Sequence, residues 1–63
     1  MLLLQLNHQD DRDRALRNGG VVVASYRDGW LVRVRAEPVG EVTYRLADGS
    51  MIRRYPTPTF VTY

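Results

Sequence analysis

Apolar positions fall into short runs, and the run lengths predict a strand, a short helix and then further strands. Leu2-Leu3-Leu4-Gln5-Leu6 has strand length, and the polar stretch from Asp10 to Asn18 has room for about two helical turns. Asp10 and Asp11 at the start, Arg17 at the end and Gly19-Gly20 as a left-handed stop mark that stretch as a helix. Asp10/Arg14 and Asp13/Arg17 stand at i,i+4, where each pair adds about 0.2–0.5 kcal/mol. Ala15 and Leu16 are its apolar residues, which predicts a surface helix pinned at one end.

From Val21 the pattern is β: Val21–Tyr26, Trp30–Ala36, Glu41–Leu46 and Met51–Tyr55 are rich in β-branched and aromatic residues. Asp28-Gly29, Pro38-Val39-Gly40 and Asp48-Gly49 separate them as hairpin signals. The predicted class is therefore α+β and β-dominated, a short N-terminal strand and short helix followed by a four-strand antiparallel meander. Residues 1–55 form a single small β-rich domain in this reading, and residues 56–63 an extended apolar C-terminal tail.

Register decides which face each side chain takes, because a slip of one residue inverts the strand. Read as a three-residue hairpin, Pro38-Val39-Gly40 pairs Ala36 with Val42, Val34 with Tyr44 and Val32 with Leu46. Reading Arg27-Asp28-Gly29 and Ala47-Asp48-Gly49 alike adds Val22, Ala24, Tyr26, Trp30 and Ile52 to the same side, gathering the large apolar residues on one face. The other face then carries Arg33, Arg35, Arg45, Arg53 and Tyr55, with Thr43, Leu31 and Met51 among them and Glu37 and Glu41 near one end. These guanidinium groups and Tyr55 are the candidate contact residues for a partner or nucleic acid. Beyond them, Pro56-Thr57-Pro58 predicts an extended start to the tail, whose Phe60, Val61 and Tyr63 need a docking site in cis or on another subunit.

Composition narrows the chemistry. A chain of 63 residues has room for one core, with stability on the order of 3–9 kcal/mol, so oligomerisation is an expected source of extra stability. There is no Cys, which removes disulfides, thiol nucleophiles and cysteine zinc sites. All nine basic residues are Arg against seven acids, a net charge of +2. Without Lys there is neither Schiff-base chemistry nor a P-loop lysine.

Candidate catalytic groups are few. His8 stands near Asp10, Asp11 and Asp13, but Arg12 and Arg14 interleave the acids and no second His completes a metal shell, so the set reads as a helix N-terminus. Ser25 and Ser50 lie in no Gly-x-Ser-x-Gly elbow. The expectation is therefore no enzyme, no metal and no cofactor. The apolar opening Met1–Leu6 lacks a basic flank and is too short for a signal peptide or membrane span, which predicts a cytoplasmic protein away from membranes.

Taken together, these features predict a small non-catalytic protein-binding module, a homo-oligomer that occludes or adapts a partner. In size and lack of motifs it resembles phage or mobile-element accessory and inhibitor proteins. The alternative is single-stranded nucleic-acid binding on the Arg/Tyr face, which the modest +2 charge supports weakly.

Overall fold

The computed structural model describes residues 1–54. Along the chain come β1 (Leu2–Leu6), α1 (Gln9–Arg17), β2 (Val21–Tyr26), β3 (Gly29–Val34), β4 (Ala36–Pro38), β5 (Thr43–Leu46) and β6 (Met51–Arg53). The β-dominated α+β class and the strand-helix-strand order agree with the sequence pattern. The strands form two three-stranded antiparallel sheets, ordered β1-β3-β2 and β4-β5-β6.

The run Trp30–Ala36, expected as one strand, is parted at Arg35 into β3 and β4. The N-terminal strand is the cause: Leu2, Leu4 and Leu6 pair with Val34, Val32 and Trp30. With β1 on one flank of β3 and β2 on the other, β5 is left to pair with β4.

The three turns come out differently. At β5–β6 the expected three-residue turn forms: Tyr44 pairs with Ile52, the Leu46 N–H donates to Ser50 O at 2.8 Å, and Gly49 has φ +89°. At β4–β5 the expected pairing of Ala36 with Val42 is replaced by Ala36 with Leu46 and Pro38 with Tyr44. Pro38 lies in the strand, and the loop is closed by Val39 N–H donating to Thr43 O at 3.0 Å. That slip is an even number of residues, so Ala36, Tyr44 and Leu46 keep their common face.

At β2–β3 the turn has two residues rather than three, since Tyr26 pairs with Gly29 and Ser25 with Trp30. A bulge between Val22 and Ala24 then returns Val22 to the core side, opposite Val32. Ala24 and Tyr26, expected on the core side, consequently move to the other face.

One buried cluster joins the layers: Leu4 and Leu6 of β1, Ala15 of α1, Val32 and Val34 of β3, Leu46 of β5 and Ile52 of β6. Val22, Trp30, Ala36 and Tyr44 pack against it. Helix α1 lies on this inner side through Ala15 and is tied down by polar contacts. Arg14 donates to Asp11 at 2.7 Å and to the Met51 carbonyl at 3.1 Å, occupying a backbone acceptor of the edge strand β6.

Arg12 pairs with Asp13 at 3.0 Å and lies 4.4 Å above the Trp30 ring. The expected pairs Asp10/Arg14 and Asp13/Arg17 are thus replaced, because the inward side of the helix offers Asp11, Trp30 and Met51 as nearer partners. Past the helix end, Gly19 takes φ +83°, and Asn18 accepts the Asp48 N–H at 3.0 Å, fastening α1 to the β5–β6 turn.

Candidate functional site

Alternation along β3 sends Trp30, Val32 and Val34 inward and Leu31 and Arg33 outward. Across the first sheet the outward rows are Leu3–Arg33–Val21 and Gln5–Leu31–Ala24, with Tyr26 beside Gly29 at the turn end. Leu3 is 58% exposed, Val21 48% and Tyr26 52%, and Val23 at the bulge 52%. Together these four residues expose on the order of 300–400 Å², within the range of the largest apolar patch on an ordinary monomer, which is often functional. Arg33 is the face's single charged residue and takes part in no ion pair among the described residues.

The outer face of the second sheet is polar. Arg45 stands between Glu37 and Met51, and Arg53 lies opposite Thr43. Arg45 reaches Glu37 at 3.2 Å, an exposed pair worth about 0–1 kcal/mol. Arg35, at the break between the sheets, joins Glu37 and Arg45 along a cleft of about 200 Å³.

The expected row of guanidinium groups is therefore divided. Arg35 and Arg45 are brought together beside a glutamate, and Arg53 lies on the same sheet as Arg45. Arg33 stands apart among apolar residues on the first sheet. Tyr55 and the tail residues Phe60, Val61 and Tyr63 lie outside the described residues.

Near the start of α1, His8, Asp11, Arg14, Thr43, Met51 and Arg53 line a second cleft of about 210 Å³. Its Asp11 and Arg14 are already engaged with each other. No group of three or more His, Asp or Glu among the described residues is placed to hold a metal ion. No described helix is long and apolar enough to cross a membrane.

Leu31 lies on the outward face as the register predicts, whereas Leu3, Val21, Ala24 and Tyr26 are outward residues that the pattern of hairpins does not single out, although a signal is present. Leu2-Leu3-Leu4 and Val21-Val22-Val23-Ala24 are unbroken apolar runs, and a strand of that kind is apolar on both faces. One face covers the core, and the other is left exposed. No family model matches the chain, and no significant similarity to a curated protein or a solved structure is found.

Proposed function

We propose that this chain is a non-catalytic protein-binding module that occludes or adapts a partner protein through the outer face of β1-β3-β2. The observation that carries it is a sheet apolar on both sides, with Leu3, Val21 and Tyr26 about half exposed on the side turned away from α1 and the core. The largest apolar patch on a monomer, typically about 300–600 Å², is often a functional surface. Tyr26 and Arg33 are also of the types that concentrate binding energy.

The test is capture from a lysate of the producing cell, with the parent and a Leu3→Ser/Tyr26→Ser variant, with and without nuclease. A protein held by the parent through nuclease treatment and released by the variant supports the reading. Equal retention by both proteins overturns it.

A second reading, single-stranded nucleic-acid binding by Arg35, Arg45 and Arg53, draws on the placement of Arg45 and Arg53 on neighbouring strands. It requires oligonucleotide affinity that falls with salt at a slope of about −0.7 per phosphate neutralised. Absence of any shift at about 50 mM salt ends it.

A further inference from the structure

We propose that the partner docks an apolar segment carrying an Asp or Glu, whose carboxylate meets Arg33. This inference rests on the reading of the outer β1-β3-β2 face as the contact surface and adds the chemistry of its occupant. Arg33 has Leu3 on one side and Val21 on the other across the strands, with Leu31 two residues away on the same side of β3. Anything that covers those side chains also takes the guanidinium out of water. A buried cation without a counter-charge is strongly disfavoured, whereas a carboxylate received by the planar fork in two parallel hydrogen bonds compensates for the lost hydration.

Charge decides between occupants. The face consists of Leu3, Gln5, Val21, Ala24, Tyr26, Leu31 and Arg33, so a second copy stacked on it brings another cation and no carboxylate from this face. The chain's own segment 55–63 has apolar side chains but no Asp or Glu. Arg12, Arg14 and Arg45 already have carboxylates of their own at 2.7–3.2 Å. Arg33 sits where an incoming acid would be shielded from water by apolar neighbours, and shielding strengthens the attraction. An acid at that point also sets register along the sheet, since apolar contact alone is not directional.

A random peptide library displayed on phage, panned on the full chain and counter-selected on a Leu31→Asp variant, tests this. Enriched peptides are expected to combine apolar residues with at least one Asp or Glu. Synthesised peptides should then lose about tenfold or more in affinity for an Arg33→Glu variant. Replacing the peptide's acid by Arg should restore binding to that variant.

Peptides that need Leu31 but carry no acid, or that bind Arg33→Glu as tightly as the parent, overturn the acidic partner while leaving the docking face intact. Failure to enrich any Leu31-dependent peptide overturns the face itself. Two further measurements address other occupants. A dimer seen by light scattering and abolished by Leu31→Asp assigns the face to a second copy, and peptide affinity that rises on truncation after Arg54 assigns it to the chain's own tail. Either result overturns the proposal.

Discussion

Substituting Gly29 by Ala probes the packing of β1 against β3, which sets the Leu3–Arg33 row of the docking face. A Cβ on Gly29 would lie 2.5 Å from the Leu6 carbonyl oxygen and 3.2 Å from Asn7 Cα. Relief requires a shift of about 1 Å from backbone atoms of β1, well inside normal van der Waals separation. Overpacking of this kind costs about 1–3 kcal/mol, and disturbing the neighbouring Leu6–Trp30 pairing adds about 1 kcal/mol. Reduced entropy of the unfolded chain offsets about 0.4–1 kcal/mol of this, leaving a net loss of roughly 1–3.5 kcal/mol.

For a domain of this size that loss corresponds to a fall in melting temperature on the order of 5–25 °C. Gly40→Ala is the control, since its added Cβ meets only Thr43 Cβ at 3.8 Å, an ordinary contact. It should melt at or slightly above the parent temperature. Thermal unfolding followed by far-ultraviolet circular dichroism measures both variants. If they melt within about 3 °C of each other, β1 does not press on Gly29. The β1–β3 register would then be wrong, and Leu3 would leave its place beside Arg33.

Leu6 is fully buried, so Leu6→Ala should cost about 2–5 kcal/mol in urea unfolding and bring the protein close to its stability limit. Arg14→Ala leaves the buried Asp11 carboxylate without its cation and the Met51 carbonyl without its side-chain donor. A loss of about 1–3 kcal/mol is expected by the same assay, scaled down because Arg14 is partly exposed, with partial recovery in Asp11→Asn/Arg14→Gln. The Asp48 carboxyl is held below its ordinary range, first by the Ser50 hydroxyl and next by the Ser50 N–H. A lowered folded-state value means that its contribution is present above the unfolded value and is lost as pH falls through the folded one. Ser50→Ala should therefore raise the Asp48 value in an NMR titration and reduce the dependence of stability on pH in the acid range.

The sequence was most informative where chemistry is local. The helix could be placed within a residue at each end because Asp10, Asp11, Arg17 and Gly19 act through its termini, and Gly19 adopts the expected positive φ. The Ala47-Asp48-Gly49 turn was legible for the same reason: Asp48 bonds the Ser50 N–H two residues on, and Gly49 supplies the left-handed position. Pairing at a distance was not legible. Hairpin logic assigned Val32 and Val34 to Leu46 and Tyr44, whereas Leu4 and Leu2 take those places from far earlier in the chain. The inward face of β4, β5 and β6 survived that error because the slip was even, as Ala36, Tyr44, Leu46 and Ile52 show. At β2 the two-residue turn and the bulge made the shift odd near Tyr26, and no single residue in Val21–Ser25 announces a bulge.

That odd shift changes the function the surface can support. With Ala24 and Tyr26 inward, the outer face of the first sheet would keep Leu3, Val21, Leu31 and Arg33 but lose its aromatic residue. With both outward, Arg33 is surrounded by side chains that repay burial, while Arg45 is matched by Glu37 at 3.2 Å. Affinity for a phosphate backbone grows with the number of charges neutralised together, so a basic row interrupted by a glutamate and divided between two sheets loses the additive term. An apolar surface gains instead from contiguity, because solvent-excluding neighbours make a central anchor effective. The pairing of β1 with β3 and the break at Arg35 separate the cations, and the two-residue turn at Arg27-Asp28 adds Ala24 and Tyr26 to the apolar face. That arrangement supports the proposed protein recognition on the first sheet, with Arg33 as the point where charge would enter an otherwise apolar contact.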